Sequence, residues 1–240
     1  SLSFIFTSFK LNNSIKDTNS NKEGLQVKKG IKIIKKLEKK DVAKTQDEID
    51  SIQNNSNDTQ NNKDDSNFSS KFSDSIILGD SRAQSLYEYE ILDNSCVIAY
   101  KGRNVITAQK SGDIKKAINL APKNIFLTYG LNDIQNFTNS KNFIDEYSKI
   151  IKKIKKESPK TKIYVNSILE VNNKGLHNVP KCKNIPQFNN AIKKMCKTLK
   201  VTYIDLSPLF NENDFDVDGV HFKPDLNKKW LNLLIEKADL

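Results

Sequence analysis

Cysteine is scarce: three residues in a chain of 240 cannot staple a fold of this length, which excludes a disulfide scaffold. Histidine is scarcer still, so imidazole chemistry has only two candidates, His177 and His221. Arginine is nearly absent from a strongly basic chain. Of 39 basic residues only Arg82 and Arg103 are arginine, and lysine supplies the rest of a +10 net charge. No run of about 18 apolar residues occurs, which excludes a multi-span membrane protein. Apolar residues make up 37%, low for a compact domain, so part of the chain is expected to stay unpacked around one sizeable core.

The shortfall lies at the N-terminus. From Ser51 to Ser70 only Ile52 and Phe68 are apolar, and such a segment buries too little to offset the entropy of ordering it. It reads as a linker. Before it, the lysine-rich stretch Leu25 to Ile52 carries Ile31, Ile33, Ile34 and Leu37 in a pattern that suits a short surface helix. Ser1 to Phe9 is half apolar with no initiator Met, and two readings stand: the trailing end of a signal peptide or membrane anchor, or an ordinary frayed terminus. Residues 1–74 are therefore expected to form a disordered or partly helical tether.

Residues 75–240 alternate strand and helix signals. Apolar runs at Ser75–Leu78, Cys96–Tyr100, Asn124–Tyr129, Lys162–Ser167 and Val201–Leu206 suit buried parallel strands. Helical stretches fall at Arg82–Ile91, Gly112–Leu120, Lys141–Glu157, Pro186–Leu199 and Asp225–Lys237. This alternation predicts an α/β three-layer sandwich with a five-stranded parallel sheet. The charge of residues 75–240 is mostly lysine pairs on helices, which read as solvated faces. No aromatic-interleaved basic strand, zinc spacing or helix-turn-helix signature accompanies it, so no nucleic-acid partner is expected.

Open parallel sheets bind ligands at the carboxyl ends of their strands. Four polar clusters fall there: Gly79-Asp80-Ser81-Arg82, Lys101-Gly102-Arg103-Asn104, Gly130-Leu131-Asn132-Asp133 and Asp218-Gly219-Val220-His221. Ser81 stands between a strand and a helix start, and a serine needs a base to become a nucleophile. His221 has a carboxylate three residues earlier, Asp218, able to orient the ring and stabilise its charged form. The backbone N–H groups of Ser81 and Gly102 and the Asn132 amide offer three donors for an oxyanion. Asp80 and Asp133 read as loop braces.

In order and spacing these clusters resemble the SGNH (GDSL-type) hydrolase family, whose blocks are a GDS serine, a lone glycine, GxND and DxxH. The resemblance spans residues 75–240. It implies a flavodoxin-like fold with Ser81 as nucleophile, His221 as base, Asp218 as its partner, and Ser81, Gly102 and Asn132 as oxyanion donors. It also implies an ester hydrolase needing no cofactor or metal, with an acyl-enzyme intermediate. By analogy the substrate is a short acyl ester such as an O-acetylated cell-surface glycan, and the enzyme an extracellular, membrane-tethered monomer. An acyltransferase with the same residues, and a binding domain without turnover, are the rival readings. Arg82 departs from the family's usual leucine.

Three further features compete for attention. Asp214-x-Asp216-x-Asp218-Gly219 opens like a calcium loop, with Asp225 at the twelfth position. Against that, Asp replaces the bidentate Glu, Pro224 precedes it and His221 occupies the apolar eighth place. His177 has no acidic neighbour and reads as a surface residue; Cys96, Cys182 and Cys196 read as unpaired. Lastly, each arginine lies one residue from a proposed oxyanion donor, so Arg82 and Arg103 are expected to form a rim that binds an anionic group of the substrate.

Overall fold

The computed structural model describes residues 68–240. The expected surface helix within 25–52, the apolar start at 1–9 and the linker up to residue 67 lie outside the described residues. Among the described residues, no helix is long and apolar enough to cross a membrane.

Five parallel strands form one sheet: β1 (Ser75–Gly79), β2 (Val97–Ala99), β3 (Asn124–Leu127), β4 (Lys162–Asn166) and β5 (Thr202–Ile204). Their spatial order is β2-β1-β3-β4-β5. All five expected strands are present, one to three residues shorter where chain ends leave the ladder, except β1, which gains Gly79. The helices are α1 (Ser81–Glu88), α2 (Val105–Lys110), α3 (Asp113–Asn119), α4 (Leu131–Asn136), α5 (Ser140–Glu157), α6 (Asn173–Asn178), α7 (Ile185–Leu199) and α8 (Pro224–Ala238). Helices α2, α4 and α6 are additional to those expected, each of six residues and therefore under two turns.

The strands are apolar on both faces because both are covered. In register, Ile76 lies beside Ile125, and Ile125 beside Ile163; with Leu78, Leu127 and Val165 they form one face. That face packs against α2, α3, α5 and α7. On α5, Phe143, Tyr147, Ile150, Ile151 and Ile154 recur at helical spacing and are all buried. The opposite face carries Ile77, Val97, Phe126 and Tyr164, covered by Ala83 and Leu86 of α1 and by Leu226, Trp230, Leu231 and Leu234 of α8.

The folded domain begins earlier than residue 75. Phe68 and Phe72 are buried in this second core layer, and the Phe72 ring lies 5.8 Å from that of Phe126. The polar composition of residues 51–66 masked an aromatic pair at its end.

The chain runs from β1 outward to the β2 edge and then returns across β1 to β3. Adjacent strands β1 and β3 thus send their connections in opposite directions, which opens a crevice at their carboxyl ends. Two glycines let the crevice walls approach. A Cβ at Gly79 would stand 2.0 Å from Thr128 Oγ1 and 2.8 Å from Ala83 Cβ. Gly130, at φ 144°, would place a Cβ 2.4 Å from Ile168.

Candidate active site

Ser81 is the first residue of α1. Asp80 caps the helix, its Oδ1 accepting the Arg82 N–H at 3.0 Å, and the Asp80 carbonyl accepts the Gln84 N–H. The first N–H groups of a helix have no partner within it, and that of Ser81 has none among the described residues. It lies at the positive end of the helix dipole.

His221 comes from a tight hairpin. Phe215 and Phe222 form an antiparallel bridge, the Asp216 N–H donates to the His221 carbonyl, and Gly219 turns the chain at φ 75°. Edge-on contacts from Phe215 to Phe222 and from Phe222 to Trp230, both 5.9 Å, fix the hairpin's base in the core. The D-x-D-x-D-G segment is this hairpin. Its acidic side chains serve it: Asp214 pairs with Lys229, Asp216 accepts the Val217 N–H, and Asp218 Oδ1 accepts the N–H groups of Val220 and His221. Among the described residues no cluster of three His, Cys, Asp or Glu side chains suits a metal.

Ser81 and His221, 140 positions apart, meet with Oγ 2.8 Å from Nε2. On the other side of the ring, Nδ1 lies 2.5 Å from Asp218 Oδ2. Burial pushes the Asp218 carboxyl up, but the two backbone amides and the His221 ring outweigh that and hold it below the usual carboxylate range. An ionised carboxylate can only accept, so Nδ1 carries the proton and Nε2 offers a lone pair to the serine hydroxyl. His221 and Asp218 are partly open to solvent, with side chains 36% and 42% exposed.

The remaining expected donors lie on neighbouring loops. Gly102 is exposed at φ 75°, and its N–H has no partner among the described residues. Asn132 Nδ2 donates to the Arg103 carbonyl at 3.1 Å and, at a longer 3.4 Å, to Asp80 Oδ2. Asp133 joins the two loops: its Oδ1 accepts the Val105 N–H at 3.0 Å, at the start of α2, where Asn104 and Thr107 complete a capping box.

Asp133 also gives the domain a pH signature. Its second oxygen is buried without a partner, and burial, opposed by the Val105 amide and reinforced by Asp80, raises the carboxyl from 3.8 to about 7. The folded state therefore keeps a proton that the unfolded chain releases above pH 3.8. This group's contribution is complete at low pH and is lost as pH rises through about 7. At 1.36 kcal/mol per unit the loss is about 4 kcal/mol. Urea unfolding of wild type and Asp133→Asn from pH 4 to 8 reads it: the stability difference should swing in favour of the variant as pH rises. A difference constant across that range contradicts the assignment.

The arginines are not placed as expected. Arg82 is buried, and its guanidinium donates to the carbonyls of Val220, Leu169 and Glu170 while lying 4.4 Å from the centre of the Phe222 ring. Arg103 gives its fork to Asp113 through Nε and Nη2 and covers the Tyr100 ring. Both guanidinium groups are committed to protein partners instead of a substrate rim; the sequence shows their position but not these partners. Two asparagines at the ends of α6 carry no signal in the sequence. The Asn172 N–H donates to the Gly219 carbonyl and Asn178 Nδ2 to that of Asp218, so both brace the hairpin. His177 is exposed on α6, and the three cysteines are buried and free.

The family model for the GDSL-like lipase/acylhydrolase family matches residues 50–229. Among solved structures the fold is similar to a GDSL-like lipase from Bacteroides thetaiotaomicron, with 18% identity, TM-score 0.52, and 68% of this chain and 87% of that one covered. A lipase/acylhydrolase from Enterococcus faecalis has 15% identity and TM-score 0.54, covering 68% and 94%. A catalytic variant of an acetylxylan esterase from Geobacillus stearothermophilus has 13% identity and TM-score 0.52, covering 69% and 93%. No curated protein has a sequence that matches this one. With the match spanning most of the chain, including all four polar clusters, the protein belongs to the GDSL-like lipase/acylhydrolase family and is a carboxylic-ester hydrolase.

Proposed function

We propose that the protein removes a short acyl group, acetyl on a carbohydrate, through an acyl-enzyme on Ser81. The observation that carries this reading is the continuous contact from Ser81 Oγ through the His221 ring to Asp218. Ser81 Oγ bonds to the ester carbonyl carbon as its proton passes to His221 Nε2. The carbonyl electron pair moves onto oxygen, which the Ser81 and Gly102 N–H groups stabilise. Asn132 adds a third donor by giving up its longer contact, the one to Asp80. Asp218 stabilises the imidazolium. That imidazolium protonates the leaving alcohol oxygen as the ester C–O bond breaks. Water then attacks the acyl carbon, gives its proton to His221, and Ser81 leaves with that proton to restore the starting site.

The acetyl and carbohydrate assignment is supported by the acetylxylan esterase neighbour and by a site open enough to admit a bulky alcohol part. It is tested on nitrophenyl acetate, butyrate and octanoate, alongside acetate release from O-acetylated xylooligosaccharides. On the short-acyl reading kcat/KM falls at least about tenfold from acetate to octanoate, the discrimination that excess methylenes produce in an acyl site fitted to acetyl. Equal or faster hydrolysis of octanoate contradicts the short-acyl reading.

A further inference from the structure

The hairpin that carries His221 has four successive carbonyls, and each one accepts a hydrogen bond. Asp218 takes Asn178 Nδ2, Gly219 takes the Asn172 N–H, Val220 takes Arg82 Nε at 3.0 Å, and His221 takes the Asp216 N–H. Of the other three donors, Asn178 ends the exposed helix α6, Asn172 caps that helix and Asp216 belongs to the hairpin itself. Arg82 differs from them. It is buried, it is charged, and its own backbone is bonded to Ser81.

The same guanidinium reaches two more carbonyls, Leu169 through Nη1 at 2.7 Å and Glu170 through Nη2 at 3.4 Å. Three diverging acceptors need a planar fork; the single nitrogen of lysine cannot meet them together. The face of the guanidinium lies on Phe222, the residue after His221. Arg82 therefore touches the hairpin on both sides of the imidazole while sitting one residue from the serine hydroxyl. In a chain with only one other arginine, an arginine here answers a geometric requirement.

We infer that Arg82 is a positioning residue that sets the Ser81–His221 separation, clamping the His221 hairpin to the start of α1 through the Val220 carbonyl and the Phe222 ring. The inference rests on the Ser81–His221 reading of the site. Arg82 does not touch the reacting atoms. Its loss should loosen the hairpin, lengthen the contact between Oγ and Nε2, and lower the rate of acylation without weakening ester binding.

The test compares wild type with Arg82→Lys and with Arg82→Met, which keeps an unbranched chain against Phe222 but has no donors. Assays on a neutral acetyl ester and on an ester bearing a carboxylate should show kcat down by about 10²-fold, as a misplacement near 1 Å produces. KM should stay within about twofold, and the loss should be equal on both esters. The pH profile of kcat/KM should shift as His221 Nε2 loses its contact with Ser81 Oγ. Unchanged kcat in a folded variant, a loss confined to the anionic ester, or a kcat loss with an unmoved pH profile each overturns the inference.

Because the chain has only two arginines, the wild-type protein supplies a second readout. Its Arg82 Nε–H signal should be resolved at neutral pH and show coupling through the hydrogen bond to the Val220 carbonyl carbon. Absence of that coupling overturns the clamp even if neither variant folds. Absence of wild-type turnover with the coupling present would instead reject the esterase reading and leave the clamp standing.

Discussion

Asp218→Asn is expected to lower kcat/KM for a short-chain ester about 10³–10⁴-fold while leaving the domain folded. The size of the effect follows from tautomers. Asp218 Oδ1 accepts the Val220 and His221 amides at 2.8 and 2.9 Å, and an asparagine oxygen can keep both. The group facing His221 Nδ1 then becomes an NH2 donor, so Nδ1 must accept and the ring proton moves to Nε2. An Nε2 that carries a proton cannot take one from Ser81. Asp218→Ala should show the same loss of rate together with a lower melting temperature, because it also removes the brace for the Val220 and His221 amides. An asparagine variant within tenfold of wild type would mean that Asp218 does not orient the base.

The elements that place Asp218 and His221 differ greatly in how they appear in the sequence. Strands β1, β3 and β4 were legible because they are largely buried on both faces, an apolar pattern that persists over four or five residues whatever the register. The long helices α5 and α7 were legible because their apolar residues repeat over several turns. Six-residue helices offer no such repeat. Helix α2 had a local mark in Asn104 and Thr107, a capping box with threonine in place of the usual acidic or amide residue. Helix α4 follows Gly130, at φ 144°, with no side-chain cap at all. The boundary at residue 75 was set by composition, which weighs many polar residues equally and gives no weight to where Phe68 and Phe72 are buried.

The candidate site was legible for a related reason. Ser81, Gly102 and Asn132 each follow closely on a strand, so sheet topology brings their segments together, while packing of Phe215, Phe222 and Trp230 places the hairpin with Asp218 and His221. Arg82 is illegible because its partners are distant, one a carbonyl 138 positions away, whereas Arg103 pairs with Asp113 only ten positions on. Proximity in sequence to Ser81 and Gly102 suggested a shared substrate, whereas each guanidinium faces back into the protein. Backbone carbonyls have no letter in the sequence, and a clamp made on them is visible only in three dimensions.

The central claim is that Ser81 carries the acyl group. Its direct measurement is the rate of nitrophenyl acetate hydrolysis by wild type and by Ser81→Ala, prepared in parallel and matched by thermal unfolding. Removing Oγ leaves the Asp80 cap, the free N–H groups and the His221–Asp218 contact in place, so the variant isolates the nucleophile. A loss of about 10⁵–10⁶ in kcat is expected, with only the residual rate that donors and binding supply. Equal rates in the two proteins would contradict it.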